Sequence, residues 1–180
     1  MKQYIDIVKL IQDKGEVRPD RTGTGTKSYF GVHFEHDCAE GFPLVTHKKM
    51  GTKSVFAELI WFLAGDTNSH TLEQLGSTIW REWANEDGDI GPMYGAAWRG
   101  KRGHKVDQLA QVLKEIQHNP NSRRMLVSAW TPELLPDTSF SPVENVNRGL
   151  MALAPCHVQY QFYVSNGDTL NLKWDQRLTV

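Results

Sequence analysis

One cysteine in this sequence stands where a nucleophile could be held. Cys156 lies between Pro155 and His157, at the head of the alternating run Val158-Gln159-Tyr160-Gln161-Phe162-Tyr163-Val164. A thiol reacts as its thiolate, and at a free pKa near 8.5 only about 3% is ionised at pH 7, so a neighbouring cation matters. Arg177, in a second alternating stretch, is spaced to face Cys156 across a sheet. His157 is the nearest base, but consecutive residues on a strand point to opposite faces, which argues against a Cys156/His157 dyad. Free cysteines are also among the most buried residue types, so two readings of Cys156 stand: packed small hydrophobe or nucleophile.

Other residues carry chemistry at a distance. Glu58 falls inside the apolar run Val55-Phe56-Ala57-Glu58-Leu59-Ile60-Trp61-Phe62-Leu63. A carboxylate there is costly when charged, which raises its pKa and suits it either to proton relay or to a structural pair. Trp80, Trp83, Tyr94 and Trp98 surround a glycine-rich turn, able to stack a flat ligand or to fill a core. Arg21 heads a glycine-rich loop, and Arg123-Arg124 follows the turn Pro120-Asn121-Ser122; each is open to phosphate recognition or to a surface role. Gly23-Thr24-Gly25-Thr26-Lys27-Ser28 is no phosphate loop, because Thr26 occupies the required glycine position and a strand pattern follows.

The elements that must position these groups are written in the periodicity. Tyr4, Ile7, Val8 and Ile11 predict a helix stopped by Gly15, and 18–26 reads as a loop. Phe30, Val32 and Phe34 alternate with Tyr29, Gly31 and His33 as a half-buried strand. Phe56, Leu59, Ile60 and Leu63 predict the buried stripe of a helix over 49–64, with Gly65 as its stop. Ile79 to Ala84 suggests a short aromatic helix, and Asp87 to Pro92 a turn-rich loop. Val106, Leu109, Leu113 and Ile116 give a further helix, ended by Asn119-Pro120. Met125 to Trp130 is a short apolar run; Val158–Val164 and Leu170–Trp174 form a hairpin through Asn166-Gly167. Helices and strands without regular βαβ alternation point to an α+β fold, a mixed sheet packed with helices.

Composition narrows the field. Twenty Lys and Arg against 21 Asp and Glu give no global attraction to nucleic acid or anionic membrane. The opening Met1-Lys2-Gln3-Tyr4-Ile5-Asp6 is polar where a signal peptide is apolar, so the reading is cytoplasmic. Cys38 and Cys156 show neither disulfide nor zinc spacing, so no metal is expected.

Taken in order, Asp20-Arg21-Thr22-Gly23-Thr24-Gly25-Thr26, Gly41-Phe42-Pro43-Leu44-Val45-Thr46, Glu58-Leu59-Ile60-Trp61-Phe62-Leu63, Asp66-Thr67-Asn68, Ile79-Trp80-Arg81-Glu82-Trp83-Ala84, Gly88-Asp89-Ile90-Gly91-Pro92-Met93-Tyr94-Gly95, Ser122-Arg123-Arg124, Ser128-Ala129-Trp130 and Ala154-Pro155-Cys156-His157 closely resemble thymidylate synthase. The resemblance runs from Met1 to Arg177. It implies a cytoplasmic homodimeric methyltransferase of dTMP biosynthesis that converts dUMP with 5,10-methylenetetrahydrofolate as co-substrate and needs no metal. By the same resemblance Cys156 attacks C6 of the uracil, Glu58 relays protons, Tyr94 assists the water that removes the C5 proton, and Arg177 lowers the thiol pKa and touches phosphate. Arg21 joins it on the phosphate, Arg123 and Arg124 reach across a dimer interface, and Ile79, Trp80 and Trp83 line the folate pocket.

The sequence departs from that pattern in three places. Leu135 to Gly149 reads as a surface-loop insertion in a single domain over 1–180. Gly51 replaces a histidine that some members place near the folate tail. After Gln176-Arg177 the family pattern continues as Ser, any residue, Asp and then LGxPFN, whereas Leu178-Thr179-Val180 stands here, so a C-terminally incomplete fold is expected. Two alternatives accompany this reading: a deoxypyrimidine-monophosphate hydroxymethylase, and an inactive truncated remnant exposing an apolar sheet edge or face.

Overall fold

The computed structural model describes residues 2–19 and 23–177. Within the span the sequence reading takes as one domain, 1–51 and 52–180 form two compact units.

In the first unit, helix α1 (Lys2–Lys14) closes on Gly15, whose N–H donates to the Ile11 carbonyl at 2.8 Å. The expected 18–26 loop is in part a hairpin: β1 (Glu16–Arg18) pairs antiparallel with β2 (Thr26–Ser28). The strand expected over 29–34 does not form, and Phe30 is fully exposed. Two features explain this. The register spends all of β1 on 26–28, leaving nothing for later residues to pair with, and Gly31 at φ +81° turns the chain out of the extended region.

The second unit begins with α2 (Thr52–Leu63), which buries Ala57, Trp61 and Phe62. The face therefore differs from the predicted one, since Phe56, Leu59, Ile60 and Leu63 are exposed. A helix apolar nearly all round has no unique stripe, and here the two large aromatics, Trp61 one turn beyond Ala57 and Phe62 one turn beyond Glu58, select the inward face. The following loop is fastened by Asp66, whose carboxylate accepts from the N–H groups of Thr67 and Asn68 and from the Thr71 hydroxyl. Asn68 then caps α3 (Ser69–Gln74). A 3-10 turn (Arg81–Trp83) replaces the expected aromatic helix.

Helix α4 (Tyr94–Trp98) is buried along its whole length. Gly95 makes its approach to α2 possible, because a Cβ there would lie 2.8 Å from the Asp66 carbonyl oxygen and 3.0 Å from that of Phe62. Helix α5 (Gln108–His118) is capped by Asp107 and turns Val112 inward, with Leu109 and Ile116 partly buried; the predicted Val106 precedes it, and Leu113 faces solvent.

A three-stranded sheet follows in the order β3 (Leu126–Ser128), β4 (His157–Ser165), β5 (Thr169–Gln176), antiparallel throughout. Helices packed with antiparallel strands make up the expected α+β fold among the described residues. The β4–β5 pairing is antiparallel because a tight turn joins them, with Asn166 at φ 55° and Gly167 at φ 82°. Val127, Tyr160 and Phe162 face the core formed with Trp61, Phe62, Tyr94 and Trp98. On that same face, by register, Leu170, Leu172 and Trp174 of β5 are about half exposed. The 135–149 segment is not loop throughout: α6 (Pro142–Asn147) forms behind a Ser141/Glu144 capping box, and Asn145 is 1% exposed. Its Nδ2 donates to the carbonyls of Asp137, Phe140 and Ser141, which ties the segment together.

Candidate active site

Glu58, Trp80, Tyr94, Leu153, Ala154, Cys156, His157 and Gln176 line one cleft of about 330 Å³ in the second unit. Three of them come from different parts of the fold: Glu58 from the inward face of α2, Tyr94 from the first position of α4, and Cys156 from the residue just before β4. Positions from Glu58 to Gln176 thus converge on the same cleft.

Two hydrogen bonds organise it. The Trp80 indole N–H donates to Glu58 Oε1 at 2.7 Å, and the Cys156 backbone N–H donates to the Tyr94 hydroxyl oxygen at 2.8 Å. Burial pushes the Glu58 carboxyl above the ordinary carboxylate range, while the Trp80 bond pulls in the opposite direction. Burial also pushes Tyr94 up to about 12, against the amide donors of Cys156 and His157, so the phenol is neutral at physiological pH. Tyr94 packs against Phe62, with ring centroids 4.8 Å apart, and against Trp80 at 6.0 Å.

His157 also lines the cleft, contrary to the alternation argument. Cys156 precedes the strand, and an irregularity between His157 and Gln159 breaks the two-residue period there. The His157 ring sits between Tyr94 and Trp174, at centroid distances of 5.5 and 5.1 Å. Burial lowers its pKa, against a hydrogen bond with Gln176, which favours the neutral ring. Among the described residues Nδ1 has no partner.

Arg177 follows β5 directly, and its contacts beside Cys156 are with backbone. Its N–H donates to the Cys156 carbonyl at 3.1 Å, Nε to the Pro155 carbonyl at 2.9 Å and Nη2 to the Ala154 carbonyl at 2.8 Å. Of the three residues expected around a folate, Trp80 lines the cleft; Ile79 is about half exposed and Trp83 packs against the core. Arg123 and Arg124, just before β3, are exposed and are not among the lining residues. Arg21 lies outside the described residues. His157, which strand alternation sets apart from Cys156, shares the cleft with it, and Gln176 joins the lining without any signal in the sequence. No cluster of His, Cys, Asp and Glu among the described residues is placed to hold a metal ion.

Fold and site together define an α+β protein with a cysteine, a partly buried carboxylate and a neutral tyrosine in one aromatic cleft. The thymidylate synthase family model matches residues 2–179, and the chain belongs to that family. A curated protein named thymidylate synthase from Francisella philomiragia is 49% identical over 166 residues, 92% of this chain. The chain spans 61% of that relative's length. No helix among the described residues is long and apolar enough to cross a membrane.

Proposed function

We propose that this protein takes part in the reductive methylation of dUMP to dTMP, with Cys156 as the nucleophile and 5,10-methylenetetrahydrofolate as co-substrate. The observation that carries the reading is the shared cleft, in which Cys156 is anchored by Tyr94 and stands with the Trp80-bonded Glu58. The folate supplies a one-carbon unit and a hydride. A flat, partly polar ring suits the cleft, since Trp80 and Leu153 offer apolar surface beside a carboxylate and a thiol.

In this scheme the Cys156 sulfur forms a bond to C6 of the uracil, and the electron pair of the C5–C6 double bond moves to make C5 nucleophilic. Glu58, held where burial favours its protonated form, gives and takes protons at the pyrimidine carbonyl through water. Tyr94 serves as a hydrogen-bond donor to the water that removes the C5 proton, because a phenol with a pKa of about 12 keeps its own proton. Arg177 and Arg21 bind the phosphate, Arg123 and Arg124 add to it from the second subunit of a homodimer, and Ile79, Trp80 and Trp83 receive the folate. A cytoplasmic location accompanies this role.

Release of tritium from C5-labelled dUMP, dependent on methylenetetrahydrofolate and abolished by Cys156→Ser, is the expected result. Release from dCMP but not dUMP would replace the reading with the hydroxymethylase. No release from either, with a folded protein, would remove it.

A further inference from the structure

The turn that carries Cys156 lies outside the sheet ladder. Strand β4 begins at His157, so the carbonyls of Ala154 and Pro155 have no strand partner, although Pro155 is fully buried. Backbone carbonyls in such a place need donors from elsewhere. A single residue supplies them: Arg177 gives Nη2 to Ala154, Nε to Pro155 and its own amide to Cys156. The opposite edge of the Cys156 peptide is held by Tyr94, which accepts the Cys156 N–H. The residue bearing the thiol is thereby fixed through both its N–H and its C=O, and the two residues before it through their carbonyls.

We infer that Arg177 is a positioning residue whose planar fork sets the direction in which Cys156 presents its sulfur, a role separate from its charge. This rests on the reading of Cys156 as the nucleophile. The geometry demands arginine in particular. Nε and Nη2 lie on one rigid edge of the guanidinium and reach two successive carbonyls at once, whereas the single ammonium of lysine keeps the charge but has no fork.

The test uses this chain with Cys38→Ser, which leaves Cys156 as the one thiol. Alkylation of Cys156 by iodoacetamide is followed by mass spectrometry from about pH 6 to pH 10, for Arg177, Arg177→Lys and Arg177→Gln. Loss of the fork is expected to change the limiting rate at high pH by about fivefold or more, in the same sense for both variants, because the freed turn opens to solvent. A Lys variant whose whole profile superimposes on the parent overturns the proposal, since charge alone then suffices; so do two parent-like variants.

If either variant fails to fold, the unmutated chain decides. Exchange of the Arg177 Nε–H, which donates to the Pro155 carbonyl, slowed by about tenfold or more relative to an open guanidinium supports the clamp, and exchange at the open rate overturns it. No readout here involves nucleotide turnover, so failure of the dUMP reaction and failure of the clamp are separate results.

Discussion

The Tyr94 hydroxyl oxygen accepts the backbone N–H of Cys156 at 2.8 Å, which joins the start of α4 to the turn before β4 across 62 positions of sequence. Because Tyr94 is neutral up to about pH 12, its oxygen both takes this bond and keeps a proton to donate. One side chain therefore anchors the Cys156 peptide and keeps a proton to donate.

Removing that oxygen separates the two duties from simple packing. Tyr94→Phe keeps the ring against Phe62 and Trp80 but strands the Cys156 amide. A stability loss of about 1–3 kcal/mol is expected in urea unfolding, with faster amide exchange at Cys156. Tritium release from C5-labelled dUMP should fall by at least about tenfold, in kcat more than KM. A variant that unfolds like the parent would show that the Tyr94–Cys156 bond carries no net stability.

Glu58 gives a pH dependence whose sign is fixed. Its folded pKa is raised, so the stability tied to its protonated form is present below the ordinary carboxyl pKa and is lost as pH rises through the raised value. Glu58→Gln keeps an oxygen for the Trp80 N–H and cannot ionise. Its melting temperature should match the parent near pH 4 and exceed it by a few degrees, about 1 kcal/mol, at pH 8, while tritium release falls about a hundredfold or more. An equal shift at both pH values would place the effect outside Glu58 ionisation.

Trp80 works on the same carboxyl from the other side. Its N–H bond is the contribution that lowers the Glu58 pKa, and Trp80→Phe deletes it while leaving an aromatic ring in a buried site. The Glu58 titration, followed by carbon NMR of the side-chain carboxyl, should move further upward. The cost in stability should be about 1.5–3 kcal/mol where Glu58 is ionised, and smaller where it is protonated. An unmoved titration would sink the assignment of this bond as a determinant of Glu58.

How much of this was legible in the sequence depended on whether a local rule or a distant partner decided each feature. Cys156 before an alternating strand, the Asn166-Gly167 turn and the carboxylate set among apolar residues at Glu58 all follow from neighbours in sequence. The face of α2 did not, because Phe56, Leu59 and Ile60 are as apolar as Trp61 and Phe62, and only tertiary packing chose between them. The 29–34 strand failed for want of a partner, which alternation cannot report. His157 entered the cleft through a break in period two. The Trp80 partner of Glu58, 22 residues away, and the three carbonyls taken by Arg177 carry no sequence signature.

Gly95 shows how a residue with no chemistry controls the site. It is the second residue of α4, next to Tyr94, and faces the Asp66 and Phe62 carbonyl oxygens at distances too short for a methyl group. Both obstacles are backbone, one in the last turn of α2 and one in the loop after it, so neither rotates away. Gly95→Ala must lift α4 from α2, and Tyr94 moves with it, loosening its 4.8 Å packing on Phe62 and its bond to Cys156. The gain in helix propensity, about 1 kcal/mol, opposes an overpacking cost of about 1–3 kcal/mol. Net destabilisation by urea should therefore be accompanied by faster amide exchange at Cys156, although the mutated residue touches neither the thiol nor the carboxyl. Unaltered Cys156 exchange in a destabilised Gly95→Ala protein would mean that α4 yields without moving Tyr94, whose bond to the Cys156 N–H then survives the substitution.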